Sequence, residues 1–366
     1  MGDLFPDKTE ACRKVLTEKF HQNIPEDKCF SGFDSYRKVI DSGIDVIILA
    51  TPPNFRPEHF KAAVDAGKHA FLEKPVAVDP VGVRSVLATS KKALSQGLCV
   101  VTGTHRRHQR SYIESYKKVQ SGMIGEFLSG AVYYNQPYML WYRFKEKNWS
   151  DSEWMIRDWV NWTWLSGDHI VEQHVHNIDV FNWFTGKRPV KATGIGARQR
   201  RLTGDQYDMF GIDYTYEGGM HLYSMCRQID GSSGNISEFI QGSAGSWRGG
   251  EDKHQIFDLK GNVIWEYNED KYEHHENNRG ALNNPFVLEH VNLVNHIRSK
   301  KPIVQAEDMA ISTLTAIMGR ISAYSGKDVM WDDVMNSDMN LMPDNLESGN
   351  IDMSKFIVPI PGRAKS

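Results

Sequence analysis

The sequence predicts an α/β protein: an incomplete Rossmann-type parallel sheet, followed by an α+β domain with a large, open, mostly antiparallel sheet. Strands and helices alternate in the first third, longer strands with a two-residue period begin near residue 125, and amphipathic helices lie near the end. At 366 residues the chain is long enough for two domains. We expect them at 1–124 and 125–366, with the C-terminal helices packing back on the second.

The first third has the pattern of βαβ units. Residues 45–51 form an apolar run that stops at two prolines, as expected for a strand buried on both faces of a parallel sheet. Alternation of this kind predicts a parallel sheet with helical crossovers. The following helix, strand, helix and strand are expected at 57–67, 69–72, 79–98 and 99–102.

Beyond residue 125 the apolar residues recur at every second position, which is the pattern of half-buried strands. A Glu-Gly-Gly turn at 217–219 joins two alternating segments and predicts a hairpin. The polar tail after residue 332 is expected to be irregular. Strands are expected at 127–134, 209–216, 221–227, 238–245 and 263–267, and helices at 286–298 and 306–324.

Composition excludes several classes of function. The formal net charge is −3, so no basic surface for nucleic acid is expected. No apolar run reaches the roughly 18 residues that suggest a membrane span. The four cysteines are far apart and form no CxxC pair, which argues against a structural zinc site or a disulfide framework. They fit a reducing compartment.

Lys74 follows directly after a predicted parallel strand, in Glu73-Lys74-Pro75. A side chain at this end of a parallel strand points toward the ligand crevice of a doubly wound sheet. A lysine there can take part in proton transfer or stabilise a developing alkoxide. A solvated surface lysine is the alternative from Lys-Pro alone.

Four polar side chains in residues 169–179 have helical spacing. His169, Glu172, His176 and Asp179 are separated by three, four and three residues, which places them on one face of a helix. Acid/base chemistry, a metal site and a polar face with core histidines are all compatible with this pattern. We expect no metal, because HExxH-type spacing is absent.

Several motifs in one order resemble the Gfo/Idh/MocA oxidoreductases. They are Ala-Thr-Pro-Pro at 50–53, Gly-Lys-His-Ala-Phe-Leu-Glu-Lys-Pro at 67–75, Arg107 with Gly-Met-Ile-Gly at 122–125, Glu-Gln-His-Val-His-Asn-Ile-Asp at 172–179, and Gln-Gly-Ser-Ala-Gly at 241–245. Glu172 stands where that family usually has Asp, and His174 where it usually has Gly. Because of these two departures, the resemblance does not specify the substrate.

The start of the chain departs further from the family pattern. Residues 1–8 resemble the end of the family's second strand, and no G-x-G-x-x-G phosphate-binding turn precedes them. We expect a truncated sequence in preference to a natural variant with altered cofactor binding. Asp3 matches the acidic residue that accepts hydrogen bonds from the adenosine ribose, which favours NAD over NADP.

The resemblance implies roles for individual residues. Lys74 and His176 are expected to assist proton transfer, with Glu172 and Asp179 orienting. Residues expected at the cofactor are Asp3, Thr51, Pro52, Asn54, Glu73, Lys74 and Arg107. Amide and aromatic groups suit a polyhydroxylated ligand. The residues expected at the substrate are Tyr134, Gln136 and Trp141, together with His174.

The function expected from the resemblance is NAD(P)-dependent hydride transfer to or from a sugar, inositol or glycoside hydroxyl carbon. Two alternatives stay open: an NAD-assisted glycosidase that works by oxidation and elimination, and a cofactor-free sugar-binding relative. We expect a homodimer or homotetramer joined through the open sheet. A cytoplasmic location is the default, with periplasmic export if the missing N-terminus carried a signal.

Overall fold

The computed structural model describes residues 1–250, 253–268 and 284–362, and its first part contains two small parallel sheets. β1 pairs with β2, and β4 lies between β3 and β5. The parallel, helix-connected arrangement confirms the Rossmann-type prediction. The strands are β1 (Gly2–Asp3), β2 (Phe30–Ser31), β3 (Val46–Leu49), β4 (His69–Leu72) and β5 (Val100–Thr102). The helices are α1 (Pro6–Phe20), α2 (Ser35–Asp41), α3 (Arg56–Asp65), α4 (Pro80–Ser95) and α5 (Arg110–Gln120).

β3 corrects one detail of the sequence analysis. Its residues alternate between exposed and buried, and Ile48 is 63% exposed while Leu49 is 3% exposed. The prediction that this strand is buried on both faces was therefore wrong for the described residues. The apolar run is hydrophobic enough for two buried faces, but the described part of the chain covers only one.

The second part contains a large mixed sheet. Its strands are β6 (Phe127–Gln136), β7 (Pro189–Ala197), β8 (Met209–Tyr216), β9 (His221–Gln228), β10 (Asn235–Gly242), β11 (Gly245–Gly250), β12 (Gln255–Asp258), β13 (Val263–Glu266) and β14 (Val329–Met330). Their order is β13-β12-β11-β10-β6-β9-β8-β7-β14. β6 and β9 run parallel and the other pairs are antiparallel, which confirms a mostly antiparallel sheet.

Helices pack on one face of this sheet. α9 contacts β6 and β10, and α11 contacts β7, β8 and α4, so α11 joins the two parts of the molecule. The opposite face carries exposed apolar side chains, including Tyr223 at 58% exposure and Met225. The helices are α6 (Asp151–Arg157), α7 (Thr163–Ser166), α8 (His169–Glu172), α9 (Val175–Thr185), α10 (Pro285–Ser299), α11 (Ala306–Ser325) and α12 (Trp331–Met335). None of the helices in the described ranges has the length and apolarity to cross a membrane.

Two predicted elements differ from the structure. The strand expected at 238–245 is the end of β10 and the start of β11, joined by a turn. The continuous helix expected over residues 169–179 is interrupted between α8 and α9. The His174 N–H bonds the carbonyl of His169, five residues earlier, and this wider turn rotates α9 relative to α8. The expected domain boundary after residue 124 falls between α5 and β6 and stays a prediction.

Candidate functional site

A cavity of about 400 Å³ lies beyond the carboxyl ends of β4 and β5. The segments that follow β4 and β5 line it, β6 and β10 supply one residue each, and Gln173 before α9, α9 itself and α10 complete the wall. This is the position in which α/β sheets bind ligands. The lining residues are Glu73, Lys74, Gly103, His105, Arg106, Tyr134, Gln173, His176, Ile236, Phe286 and Glu289.

Lys74 is held at this cavity by Glu172. Its Nζ donates to the Glu172 carbonyl oxygen at 2.5 Å and to Glu172 Oε1 at 3.0 Å. Both side chains are largely buried. An ammonium group has three N–H donors, so two bonds to Glu172 leave one N–H of Lys74 for a ligand. Glu172 therefore holds the Lys74 side chain in place, and it does not line the cavity itself.

A short chain of hydrogen bonds extends from Glu172 to the sheet. Glu172 Oε2 accepts from Gln173 Nε2 at 2.6 Å, and Gln173 Oε1 accepts from the Tyr134 hydroxyl at 2.9 Å. Both Gln173 and Tyr134 line the cavity. The position of Lys74 is thus fixed relative to β6 as well as to α8.

His176 enters the cavity from the first turn of α9. Its ring meets that of His105 edge-on at 4.6 Å, and His105 stacks on Phe286 at 4.7 Å. Within the described ranges neither ring nitrogen of His176 has a hydrogen-bond partner in the protein. Burial first, then the positive charge of Lys74, holds the pKa of His176 well below its usual range. The imidazole is therefore neutral at pH 7 and keeps a lone pair to which a ligand hydroxyl can donate.

Asp179 and Arg107, both predicted as site residues, pair with each other instead of lining the cavity. The Arg107 guanidinium donates to both carboxylate oxygens of Asp179, at 2.8 and 2.9 Å, and to Asp308 at 3.0 Å. Ser312 also donates to Asp179, at 2.8 Å. We call these four residues the Arg107 cluster. It ties α9 and α11 to the 3₁₀ turn His105–His108, and neither Asp179 nor Arg107 lines the cavity.

His174, expected at the substrate, lies in the core. It is 0% exposed, its Nε2 bonds the Ser224 hydroxyl at 2.7 Å, and burial lowers its pKa well below the usual value. A side chain with no exposed surface cannot contact substrate, so this assignment was wrong. His169 is also buried and pairs with Asp168 at 3.0 Å. The helix-face prediction for residues 169–179 is therefore corrected: its members face different surroundings.

The remaining residues predicted at the substrate lie in different places. Tyr134 lines the cavity beside Lys74, whereas Gln136 lines a neighbouring cavity of about 600 Å³. The two cavities share Ile236 as a lining residue. Trp141 lines neither cavity and packs edge-on against Trp159 at 5.9 Å.

Arg56 fixes the two turns that follow β3 and β4. Its guanidinium donates to the carbonyl oxygens of Thr51 at 2.7 Å, Glu73 at 3.2 Å and Pro75 at 2.6 Å. Burial lowers its pKa to about 10, against the attraction of Glu73 and Glu172. The sequence analysis missed Arg56, because an arginine one helix turn beyond a Pro-Pro motif carries no distinct signal.

The residues expected at the cofactor are compatible with the two ends of a dinucleotide. Asn54 Nδ2, in the turn after β3, is buried and has no hydrogen-bond partner among the described residues, as expected of a donor that meets a bound ligand. Asp3 ends β1, and its Oδ1 accepts from the Phe5 N–H at 2.9 Å, which leaves further lone pairs for a ribose diol. Burial raises the pKa of Asp3. The Thr51 hydroxyl is bonded to His59 at 3.1 Å, and Pro52 precedes a 3₁₀ turn.

Metal binding finds no support in this geometry. Among residues 1–250, 253–268 and 284–362, no three His, Cys, Asp or Glu side chains are arranged to hold an ion. His176, Glu172 and Asp179 face different partners, as described above.

Comparison with known families identifies both parts of the chain. The oxidoreductase family described as an NAD-binding Rossmann fold, GFO_IDH_MocA, matches residues 9–119. Its C-terminal alpha/beta domain matches residues 117–330. The two matches follow one another along the chain, as the fold does.

Similar proteins extend the comparison. The chain is 26% identical over 218 residues to 4-carboxy-2-hydroxymuconate-6-semialdehyde dehydrogenase from Sphingobium sp., covering 59% of this chain and 62% of that protein. It is 25% identical over 225 residues to 2,7-anhydro-N-acetylneuraminate hydratase from Escherichia coli, covering 58% and 56%. The chain thus spans about three fifths of these relatives. Scyllo-inositol dehydrogenase from Lactobacillus casei, solved with NAD(H) and scyllo-inositol, has the same fold at a TM-score of 0.65, 19% identity and 90% coverage of both chains.

Proposed function

Because the chain belongs to the Gfo/Idh/MocA oxidoreductase family, with its NAD-binding Rossmann fold, we propose that it is an NAD-dependent dehydrogenase of a sugar or inositol-type polyol. The observation that carries the proposal is the placement of Lys74 and His176 in one cavity beyond the carboxyl end of β4. The inositol ligand of the structurally similar Lactobacillus casei protein supports this substrate class.

The proposed roles follow from the single proton that the hydroxyl group loses when an alcohol is oxidised by hydride transfer. NAD, when bound, would supply the acceptor for the hydride of the substrate C–H bond, and Asn54 and Asp3 would hold it. The O–H proton must leave as the carbonyl forms, and the neutral His176 imidazole has a lone pair to accept it. The remaining N–H of Lys74 stabilises the negative charge on the oxygen.

In this proposal Glu172 and Tyr134 act through their neighbours. Glu172 holds Lys74, and Tyr134 holds Gln173, so both define the direction from which a substrate hydroxyl approaches. Asn54 and Asp3 would hold the cofactor, and Glu73, whose carboxylate accepts from the backbone N–H of Lys74 at 3.1 Å, forms part of the cavity wall beside Lys74.

The proposal is tested by incubating the chain with NAD and scyllo-inositol, myo-inositol or D-glucose and recording NADH absorbance. We expect NADH to accumulate with at least one polyol, and NADH to quench tryptophan fluorescence saturably in a parallel titration. Cofactor binding without turnover on any of these would contradict the substrate class. Absence of both cofactor binding and turnover would favour a cofactor-free sugar-binding protein.

A second candidate is an NAD-assisted glycosidase, in which oxidation is followed by elimination and re-reduction. The neighbouring cavity of about 600 Å³ favours it, because a glycoside has a second group to accommodate. One relative is named a hydratase, a reaction with no net redox change. Release of nitrophenol from nitrophenyl glycosides without net NADH formation would select this candidate over the dehydrogenase.

We further propose that two copies of the chain associate through the uncovered face of the large sheet. Tyr223 and Met225 on β9 expose apolar surface there, and such surface favours burial against another protein. Light scattering after size exclusion is expected to give a dimer or tetramer mass. Tyr223→Lys is expected to lower that mass, and a wild-type monomer would contradict this part of the proposal.

A further inference from the structure

The cavity wall contains a carboxyl group to which neither the sequence nor the family resemblance gave a role. Glu289 projects from α10, lines the cavity and is only 2% exposed. Its Oε2 is buried and has no hydrogen-bond partner in the described part of the chain. An ionised oxygen in that position would have lost its water without gaining a donor, which is strongly unfavourable.

The cations around the cavity are engaged with other carboxylates. Lys74 is bonded to Glu172, and Arg106 is bonded to Glu238. The charge that acts on Glu289 is the carboxylate of Glu73, whose repulsion adds to the cost of ionisation. No ion pair of Glu289 occurs within the ranges that the structure describes. Geometry and charge both favour its neutral form.

We propose that Glu289 is a neutral carboxylic acid that donates its O–H to an oxygen of the bound substrate and thereby selects hydroxyl- or ether-rich ligands. This role rests on the proposed function, because it requires a sugar or polyol in this cavity. A protonated carboxyl has one donor and remaining acceptor capacity, so it bonds both lone pairs and hydroxyl hydrogens of a polyol. Burial, reinforced by Glu73, raises the pKa of Glu289 to about 8, which keeps it protonated at neutral pH.

Among the described residues, few other groups near α10 change charge between pH 7 and 9. The helix packs against β4, β5 and the 3₁₀ turn after β5. Burial lowers the pKa values of the histidines on these elements and of His290 on α10 itself, so they are already neutral at pH 7. Burial also raises the pKa of the Cys99 thiol. The described titratable and charged groups on these elements and in the turns after them are His69, Glu73, Lys74, Cys99 and the turn His105–His108, and α10 itself also carries His290, His296 and Arg298.

The protonation state is tested without substrate. Infrared difference spectra between the wild-type chain and Glu289→Gln at pH 7 are expected to contain the C=O stretch of one protonated carboxyl group, which disappears near pH 9. Glu307→Gln, at an exposed carboxyl on α11, is the matched control and is expected to remove only an ionised-carboxylate band. Absence of a protonated-carboxyl band at pH 7 would overturn the proposal.

The pH dependence of the free energy of unfolding is a second test of the protonation state of Glu289. A carboxyl whose folded pKa is raised contributes stability that is lost as pH rises from about 4.5 through its folded pKa. The unfolding midpoint in urea of the wild type is therefore expected to fall from pH 6 to pH 9 more than that of Glu289→Gln. Equal pH dependence of the two midpoints would contradict a protonated Glu289.

The donor role is tested by calorimetric titration with scyllo-inositol, alongside KM and kcat. Glu289→Ala is expected to weaken binding and raise KM by about tenfold with kcat nearly unchanged, since one hydrogen bond is lost. Glu289→Gln keeps a neutral donor and is expected to bind nearly as the wild type does, with no weakening at pH 9. Wild-type affinity in Glu289→Ala would overturn the donor role. No binding by the wild type with any tested polyol, while the infrared band is present, would instead refute the proposed substrate class and with it the donor role.

Discussion

His176 and Asp179 lie one helical turn apart in α9, yet their side chains enter two different regions. His176 reaches the cavity and has no hydrogen-bond partner in the described protein, whereas Asp179 is fully engaged in the Arg107 cluster. The comparison teaches that charge and position along a helix do not identify a reactive group. A group available for chemistry has unused donors or acceptors, and a positioning group has used them within the protein.

The same distinction separates Lys74 from Arg107, two of the cations near the strand ends. Lys74 retains one N–H beyond its two bonds to Glu172, and it lines the cavity. Arg107 donates to two carboxylates and does not line it. Substitutions in the two regions are therefore expected to affect different quantities: turnover at the cavity, and the free energy of unfolding at the Arg107 cluster.

The largest effect is expected from Lys74→Met. Loss of the only cation proposed to face the substrate oxygen is expected to lower kcat/KM by about 10²–10⁴-fold. Initial rates of NADH formation measure this, and circular dichroism checks that the variant is folded. Lys91→Met, at an exposed lysine on α4, is the matched control and is expected to keep wild-type rates.

Asp179→Asn is expected to have the opposite profile. It removes one partner of a largely buried ion pair, so the free energy of unfolding is expected to fall by about 3–5 kcal/mol. Urea denaturation followed by fluorescence measures this loss. Turnover per folded molecule should change little. A stable Asp179→Asn variant with strongly reduced kcat would place Asp179 at the reacting groups after all.

Acid lowers stability through the buried histidines. Burial lowers the pKa of His59 and His254 to about 4 and that of His105 to about 3. Between pH 6.5 and these values the unfolded chain binds more protons, so unfolding becomes easier as pH falls, by about 1.4 kcal/mol per pH unit for each histidine. His254→Gln is expected to reduce this slope in urea titrations at pH 5–6.5. His21→Gln, at an exposed histidine, should leave it unchanged.

The smallest effect sharpens the contrast between His174 and His176. Ser224→Ala removes the partner of the buried His174 ring, which is expected to cost about 1–3 kcal/mol of stability without changing kcat. Ser233→Ala, at an exposed serine, serves as the control. A loss of kcat in Ser224→Ala at unchanged stability would argue that His174 acts on the substrate.

Much of the fold could be predicted, because each element carries a local pattern. The apolar run at β3, the hairpin of β8 and β9, and helices α10 and α11 are visible in hydrophobic period and turn residues. Lys74 was predicted for the same reason: the carboxyl ends of parallel strands meet at one edge of the sheet.

The positions of the other site residues depend on tertiary contacts. Helical period placed Asp179 on a reactive face, and the family resemblance placed His174 at the substrate. The wide turn after α8 and the arginine of a distant turn decide where these side chains lie. Glu289 reaches the cavity only because α10 packs against the turn after β5. Nothing in the sequence around that glutamate indicates this packing.

The most direct test of the account compares His176→Asn with Asp179→Asn in one set of measurements, kcat/KM for the best polyol and the free energy of unfolding. The account predicts that His176→Asn lowers kcat/KM by about 10²-fold or more and destabilises the fold less than Asp179→Asn does, because its ring nitrogens have no hydrogen-bond partner among the described residues to lose. Asp179→Asn should show the reverse. Wild-type kcat/KM in His176→Asn would contradict the claim that this cavity is where the chemistry occurs.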